Sequence, residues 1–288
     1  PGSSEEEIYR LSQIVADAGK LIAVDTRLKT PDDLDSLREV VEISRRTGAR
    51  TQVSHFVYQY GTGILTEALA IIDEARSEGI DIRLDSGMYT PWTSGIQAVL
   101  FSPDSLKASG LELGNILIIT GPYKGQRMTK ELYDRLRGQE ERTSVVVFGD
   151  GVEEEIYEAL RHPWAMTSTD IGPYEPGEGH PQIAGSFPRY FYKMVRKRKE
   201  LSLIEAIRKA TLLPAETLKL PTKGRMAIGA DADLVIFDPE TIQDGSEFLG
   251  FGEPDAPPTG IQSVWVNGVL AIRDNQDQGK RSRKIERS

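Results

Sequence analysis

The stretch Ala165-Met-Thr-Ser-Thr-Asp-Ile-Gly172 decides the fold. It begins as a short buried strand and ends in one carboxylate, Asp170, after which a Gly-rich loop follows. A strand that delivers an acid at its C-terminal end is typical of the active sites of (β/α) enzymes. The same pattern is also typical of a polar strand end or an Asx turn before Gly172. Both interpretations stay open on the local pattern alone, and the rest of the chain has to separate them.

Length, composition and charge bound the class of protein. The chain has 288 residues, of which 39% are hydrophobic and 27% are charged, so we expect an ordinary globular protein of one or two domains. The net charge of −9 argues against a general nucleic-acid binder, which would present a basic face. The basic runs at 193–199 and 280–284 are short, and we expect a solvated helix face and a frayed terminus there.

Cysteine and targeting signals add little about location. The chain contains no Cys, which excludes disulfides, a thiolate nucleophile and a Cys-ligated metal. No apolar run reaches the roughly 18 residues that a membrane span needs, and no signal peptide opens the sequence. We therefore expect a cytoplasmic protein without membrane partners. The opening Pro1-Gly2-Ser3-Ser4 lacks an initiator Met, so we expect either trimming or a piece of a longer protein.

Helices and buried strands alternate from residue 4 to about 170. Periodicity predicts a helix over 4–18, with Ile8, Leu11, Ile14 and Val15 on one face. Repeated βα units give a parallel sheet whose functional loops lie at the C-terminal ends of the strands. The predicted strands are 20–24, 50–54, 80–84 and 165–170, and the other predicted helices are 31–46, 64–77 and 153–160.

The remaining segments break this rhythm. Residues 91–150 are predicted to be an excursion before the last strand, and the Pro- and Gly-rich residues 173–188 form a loop long enough to cover a site. Helices are predicted over 187–199 and 202–210. After Pro214 the pattern becomes alternating, with a turn at Asn267-Gly268, which indicates an antiparallel β module. We expect two parts, an α/β part over 1–218 and a β part over 219–288.

Polar residues close three of the predicted strands: Asp25, His55 and Asp170. Carboxylate and imidazole groups on successive strands are the ligands of a Zn²⁺-type hydrolytic site, where the metal lowers the pKa of bound water to about 7. Alternatives stay open, because His55 could be a core histidine fixed by a backbone carbonyl, and Asp25 could cap the next segment or pair with Arg27. His180, in the long loop, is a candidate substrate contact.

The order of several motifs resembles the amidohydrolase superfamily, and most closely its D-aminoacylase or N-acyl-D-amino-acid deacylase group. The resemblance is strongest after residue 160 and moderate before it. It is carried by Asp25-Thr-Arg27, Gln52-Val-Ser-His55, Met88-Tyr89-Thr90, His162-Pro-Trp164, Ser168-Thr-Asp170, His180-Pro181, Gly185-Ser-Phe-Pro-Arg189, Ser202-Leu-Ile-Glu-Ala-Ile-Arg-Lys-Ala-Thr-Leu-Leu-Pro-Ala-Glu216, Lys223-Gly-Arg-Met-Ala-Ile-Gly-Ala-Asp-Ala-Asp-Leu-Val-Ile-Phe-Asp238 and Val266-Asn-Gly268.

The resemblance implies a metal-dependent (β/α)8 TIM-type barrel with a β-sandwich beside it. His55 takes the ligand position of the sixth strand, and Asp170 takes that of the eighth strand, where it would also act as general base toward water. Tyr89 falls near a family tyrosine that can polarise the scissile carbonyl. Asp25 stands where the family carries a histidine ligand. The implied cofactor is Zn²⁺, as one or two divalent ions.

Departures from the family pattern concern the substrate. Where the deacylases carry a substrate-binding Lys and Arg, this chain has Val57 and Gln182. Two cationic side chains that would bind the carboxylate of an amino-acid substrate are therefore absent. Their absence weakens the assignment to D-amino-acid substrates in particular. Arg27 or Arg189 could serve instead, and each could equally form a structural ion pair.

The resemblance implies a His-x-His pair of metal ligands on the first barrel strand, and no His-x-His occurs in this sequence. The resemblance therefore implies that this chain corresponds to the second half of the fold. By order, the strands ending near Asp25, His55, residue 84 and Asp170 correspond to barrel strands five to eight. The resemblance therefore implies a hydrolase of an amide or related C–N bond in a small molecule, completed by an N-terminal segment or a companion chain. The alternative is a non-catalytic half-barrel that associates with another chain, and a homo-oligomer is possible. A nucleotide-binding domain is disfavoured, because no G-x-G-x-x-G or P-loop pattern occurs.

Overall fold

A computed structural model describes residues 3–27, 33–149 and 151–279. Helices and strands mix throughout, as the sequence predicts for an α/β protein. The strands are β1 Leu21–Val24, β2 Arg50–Val53, β3 Ile82–Ser86, β4 Trp92–Gly95, β5 Ile116–Ile118, β6 Ser144–Val147, β7 Ala165–Thr167, β8 Leu234–Phe237, β9 Ile261–Val266, β10 Val269–Arg273 and β11 Gln276–Asp277. The helices are α1 Glu5–Asp17, α2 Asp35–Thr47, α3 Phe56–Tyr60, α4 Leu65–Ser77, α5 Pro103–Ser109, α6 Lys130–Arg137, α7 Glu153–Arg161, α8 Gln182–Tyr190, α9 Leu203–Ala210 and α10 Leu212–Thr217.

A four-stranded parallel sheet forms the centre, in the order β1-β2-β3-β7. Val24 pairs with Val53, and Ser86 pairs with Thr167, so the C-terminal ends of all four strands lie at one edge of the sheet. Strand β3 pairs directly with β7, although residues 92–147 lie between them in the chain. The predicted excursion therefore leaves the sheet and returns to it without interrupting the strand order.

Helices α2, α4 and α7 cover this sheet with an apolar core. Leu37, Leu65, Ile72 and Leu84 are fully buried within one cluster. Helix α2 shows why the local sequence folds this way: its apolar residues recur at helical spacing, and Gly48 ends it in the left-handed conformation that favours glycine. The predicted start of this helix at residue 31 and the basic run 280–284 lie outside the described residues.

The excursion is a small unit with a sheet of its own. Strands β4, β6 and β5 pair antiparallel in that order, and α6 packs against them. Ile96, Phe101, Ile116 and Val145 are fully buried in its separate core. The unit therefore presents β4 beside the C-terminal ends of the central strands on a scaffold stabilised by its own packing.

The C-terminal β module is an antiparallel sheet in the order β11-β10-β9-β8. Its hairpin turns at Asn267 and Gly268, both with positive φ, as the Asn-Gly signal predicts. Strand β8 lies at the edge of this sheet, and its Leu234, Val235 and Ile236 side chains remain 39–54% exposed. This edge strand therefore leaves apolar side chains partly exposed on both of its faces.

One sequence prediction needs correction. The helix predicted from residue 187 begins at Gln182. The His180 Nδ1 accepts the Gln182 backbone N–H at 3.0 Å and so gives a partner to one of the N–H groups that the first turn of a helix leaves unpaired. It continues as a π-helix over Phe191–Lys197. Helix α1 forms as predicted, and Leu11 and Ile14 on its apolar face are 57% and 65% exposed, since no described element covers them. Within the described ranges, none of the helices combines the length and apolarity that crossing a membrane requires.

Candidate active site

The ends of three parallel strands bring the predicted ligands to one cleft. Asp25 directly follows β1, His55 follows β2 and Asp170 follows β7, and all three line a cleft of about 440 Å³. Because the strands share one C-terminal edge, residues far apart in sequence meet there. The other lining residues are Tyr58, Gln59, Trp92, Thr93, Ser94, Leu100 and Gln182.

His55 and Asp25 lie within hydrogen-bonding distance of each other in this cleft. The His55 Nε2 lies 3.0 Å from the Asp25 Oδ1, and the Asp25 side chain is 73% exposed. The Nδ1 of His55 lies 3.2 Å from the Nε2 of Gln59. Neither ring nitrogen has a backbone carbonyl as its partner among the described residues, so His55 is not anchored as a core histidine would be.

Asp170 is exposed to the cleft on a constrained backbone. Its φ of 49° lies in the left-handed region, which costs a non-glycine residue about 1–2 kcal/mol. Its backbone carbonyl accepts a hydrogen bond from the Gln182 Nε2 at 2.8 Å. Among the described residues, no donor forms a hydrogen bond with its carboxylate, so the Asx turn does not form and both carboxylate oxygens remain available.

Asp85 is a functional candidate that the sequence reasoning passed over. It lies within β3 between Leu84 and Ser86, is 6% exposed and accepts the His55 N–H at 3.1 Å, together with hydrogen bonds from the Gln52 and Ser168 side chains. Burial raises its pKa above the usual value despite these hydrogen bonds. Asp85 therefore ties the ends of β2, β3 and β7 together behind the cleft. The signal was present, because Asp85 follows a predicted strand as Asp170 does.

Tyr89 lies away from the cleft. It is 4% exposed, its ring makes an edge contact with His180 at 5.0 Å, and the Arg189 guanidinium lies 4.6 Å above it. Burial raises its pKa to about 12. The phenol that does line the cleft belongs to Tyr58, which α3 places one turn after His55, and burial raises the Tyr58 pKa as well. The short helix α3 was not predicted, and so Tyr58 was missed.

His180 is fully buried beneath the long loop. Its Nε2 donates to the Pro91 carbonyl at 3.0 Å, while its Nδ1 accepts the Gln182 N–H. Burial lowers its pKa to about 3, so the ring is neutral at physiological pH. This environment makes His180 an anchor for the start of α8, and the substrate contact predicted for it stays a prediction.

The two candidate arginines are paired with carboxylates. Arg27 forms an ion pair with Glu39, and the Arg189 Nη1 lies 3.0 Å from the Asp244 Oδ2. Neither lines the cleft, and the lining residues within the described part of the chain include no Lys or Arg. Their predicted role in substrate binding stays a prediction, and in this structure both act as structural ion pairs.

The cleft offers donors of the right chemistry for a zinc-type metal. Imidazole nitrogen and carboxylate oxygen are the ligands such an ion prefers, and His55, Asp25 and Asp170 supply them. In the described ranges, however, no group of three or more such side chains is close enough to hold an ion by itself. The three side chains therefore have the chemistry of zinc ligands and could supply part of a ligand set.

Comparison with known proteins identifies the class. The profile of the Amidohydrolase family matches residues 119–272, more than half of the chain. The chain belongs to the amidohydrolase family. It is 29% identical to N-acyl-D-glutamate deacylase of Alcaligenes xylosoxydans xylosoxydans over 94% of the chain and 56% of that protein. It is 24% identical to D-aminoacylase of the same organism over 98% of the chain and 58% of that protein.

Solved structures agree in fold. N-acyl-D-glutamate deacylase from Bordetella bronchiseptica, complexed with zinc and a phosphonate mimic of the tetrahedral intermediate, matches with a TM-score of 0.80 and 25% identity over 95% of this chain and 57% of that one. A D-aminoacylase structure matches with a TM-score of 0.80 and 26% identity over 96% and 58%. A further matching structure, also with a TM-score of 0.80 and 26% identity, is of D-aminoacylase and concerns its binuclear metal centre. The chain thus spans a little over half the length of these relatives.

Proposed function

We propose that the protein to which this chain belongs is a metal-dependent hydrolase that cleaves an amide or related C–N bond of a small molecule. The observation that carries the proposal is the convergence of Asp25, His55 and Asp170 in one cleft at the C-terminal edge of a parallel sheet. This is where enzymes built from βα units place their chemistry. The similarity to a deacylase complexed with zinc, and to a D-aminoacylase with a binuclear metal centre, supports the same reaction class.

We propose further that β1, β2, β3 and β7 are strands five to eight of a (β/α)8 barrel. Four adjacent parallel strands with covering helices support this interpretation, as does the TM-score of 0.80 to the deacylases. The antiparallel module then forms part of a β-sandwich. The proposed boundary divides the chain into 1–218 and 219–288.

In this proposal His55, Asp170 and Asp25 contribute to a site for one or two Zn²⁺ ions. Bound zinc would polarise the scissile carbonyl and lower the pKa of water. Asp170 would accept the proton of the attacking water, because its carboxylate lies in the cleft and accepts no hydrogen bond from the described residues. Direct contact of Tyr89 with a carbonyl would require its hydroxyl to leave a buried cluster, so we do not assign it that role.

The proposed substrate is an N-acyl amino acid-like compound or a cyclic amide. The relatives act on N-acyl-D-glutamate and N-acyl-D-aspartate, as their names state. This chain carries Val57 and Gln182 where the resemblance implies cations, and the described cleft lining adds none. We therefore expect a weaker preference for a substrate carboxylate than a deacylase of acidic amino acids would have.

An N-terminal segment or a companion chain would complete the site. Three features of the described residues support this partner. Strands β1 and β7 lie at the two edges of the central sheet, α1 exposes Leu11 and Ile14, and β8 is an uncovered apolar edge strand. Unpaired strand edges and exposed apolar surfaces favour association. The same features are compatible with a non-catalytic half that binds another chain.

The proposed function can be tested by the coding sequence upstream of Pro1 and by the hydrolytic activity of the whole protein. An in-frame His-x-His about 130–190 residues upstream of the Pro1 codon, roughly the span of four further βα units, would support the enzyme. A stop codon in that interval, with no neighbouring gene for a matching half, would contradict it. The whole protein should then hydrolyse at least one member of a panel of N-acyl amino acids and cyclic amides, and activity should disappear on chelation.

A further inference from the structure

A chain of two hydrogen bonds connects helix α3 to the backbone of Asp170. The Tyr58 hydroxyl contacts the Gln182 Oε1 at 2.9 Å, and the Gln182 Nε2 contacts the Asp170 carbonyl at 2.8 Å. We propose that Tyr58 and Gln182 are positioning residues that hold Asp170 in the conformation that directs its carboxylate into the cleft. The inference rests on the proposed function only in assigning Asp170 to the metal.

The direction of both hydrogen bonds follows from the groups themselves. A backbone carbonyl can only accept, so the amide atom that faces Asp170 must be the nitrogen of Gln182. The carboxamide oxygen therefore faces Tyr58, and the phenol donates to it. Gln182 is 3% exposed, so water does not compete for either bond.

The left-handed backbone of Asp170 explains why such support is needed. Its φ of 49° is a conformation that a non-glycine residue adopts only where its surroundings stabilise it. Gln182 begins α8 in the buried interior, and Tyr58 lies one turn after His55 on α3. The pair thus connects the Asp170 strand end to the helix that follows His55, and sets the two candidate ligands relative to one another.

Gly87 makes room for the Tyr58 hydroxyl. A Cβ at position 87 would lie 2.9 Å from the Tyr58 oxygen and 3.4 Å from its Cζ. That separation is tighter than van der Waals contact permits without movement of the ring. Gly87→Ala should therefore displace the hydroxyl from Gln182 while leaving both members of the pair in the sequence.

Amide hydrogen exchange on the whole, metal-stripped protein tests the inference without reference to metal or activity. Tyr58→Phe and Gln182→Leu should each accelerate exchange over residues 168–172 by about threefold to tenfold, the effect of losing one net hydrogen bond. Tyr133→Phe is the matched control: it also deletes a buried phenol that donates to a carbonyl, that of Phe101 at 2.7 Å, and it should leave 168–172 unchanged.

Gly87→Ala provides a second route to the same result. It should accelerate exchange over 168–172 in the wild-type background and have no further effect in the Tyr58→Phe background, where no hydroxyl remains to displace. Unchanged exchange over 168–172 in Tyr58→Phe and Gly87→Ala, with both proteins folded, would overturn the inference.

Zinc affinity provides the readout that a merely structural role would not change. Gln182→Leu should weaken Zn²⁺ binding about tenfold in the wild-type background and have no additional effect in an Asp170→Ala background, because Gln182 acts through Asp170. Equal losses in the two backgrounds would contradict positioning through Asp170. If the wild-type protein binds no Zn²⁺ at all, the proposed metal role of Asp170 fails, and the exchange measurement alone decides the positioning role.

Discussion

The His55 Nε2 lies 3.0 Å from the Asp25 Oδ1 across the ends of two neighbouring strands. The register of β1 and β2 pairs Val24 with Val53, so the residues just beyond them meet at the same edge of the sheet. Because the Asp25 side chain remains largely exposed, it can contact a further group in the cleft besides His55. In our account the two side chains face a shared metal position.

Replacing Asp25 tests whether a carboxylate substitutes for the histidine that the resemblance implies. Asp25→Ala should weaken zinc binding by the whole protein at least tenfold, whereas Asp25→His should retain it, because imidazole is an equivalent ligand. Competition with a chelator of known affinity measures both. Asp134→Ala, which removes an exposed carboxylate paired with Lys130, is the control and should bind zinc as the wild type does. Wild-type affinity in Asp25→Ala would remove Asp25 from the site.

Asp85 should be important for stability. Asp85→Ala removes the acceptor for the His55 N–H and for the Gln52 and Ser168 side chains, so buried donors lose their partner. We expect a loss of about 3 kcal/mol in the free energy of unfolding, and a smaller loss for Asp85→Asn, which keeps one acceptor oxygen. Urea denaturation measures both variants. A change in Asp85→Ala no larger than that in the surface variant Asp134→Ala would show that Asp85 does not hold the strand ends together.

The buried His180 should make stability fall in acid. Its pKa is about 3 in the folded protein and about 6.5 when unfolded, so the unfolded state binds the proton first. The contribution of the neutral His180 ring to the free energy of unfolding is fully present above pH 6.5. It is lost as the pH falls from 6.5 toward 3, by up to ~1.4 kcal/mol per pH unit.

The measurement compares wild type with His180→Gln by denaturant unfolding at pH 7 and pH 5. The variant should be less stable at pH 7, because the contacts with Pro91 and Gln182 change, but should lose less between the two pH values. The difference between the two proteins isolates His180 from other titrating groups. Identical losses in both would mean that His180 is not held neutral in the fold.

The exposed apolar face of α1 should be part of the surface that binds the proposed N-terminal segment or companion chain. Leu11→Asp and Ile14→Asp should each reduce association between this chain and the N-terminal half by tenfold or more, because a charge would be buried at the interface. Their effect on the unfolding of this chain alone should be within about 0.5 kcal/mol. Co-purification of separately tagged halves measures association, and Gln13→Glu on the same helix is the control. Unchanged association in both apolar variants would place the interface elsewhere.

The sequence predicted the central sheet because its signals were local. Each strand is a short apolar run followed by a polar residue, and each helix repeats at a 3.6-residue period. Asp170 and His55 were chosen as candidates for this reason, and the structure places both in the cleft, while their role as ligands stays a prediction. The periodicity of Leu11 and Ile14 indicates that α1 has an apolar face. It does not indicate which surface packs against that face, so the sequence could not predict the proposed partner of α1.

The errors and omissions in the site have the same origin. Tyr89 was chosen from the resemblance, but whether a phenol reaches the cleft depends on a short helix and on the space at Gly87, neither of which has a periodic signal. The early start of α8 depends on a side-chain hydrogen bond from a buried histidine within a Pro- and Gly-rich loop. Asp85 follows a predicted strand as Asp170 does, so the two have the same local sequence signal. They differ in burial, because Asp85 is 6% exposed and Asp170 is exposed to the cleft, and the sequence does not show this difference.

The most direct test of the central claim is the zinc content of the whole protein, measured by elemental analysis for wild type and Asp170→Ala. The account predicts at least one bound Zn²⁺ per wild-type protein and a clear loss in Asp170→Ala, with folding checked by circular dichroism. Equal zinc in the two folded proteins would contradict the assignment of Asp170, and absence of zinc from both would contradict the metal-dependent hydrolase itself.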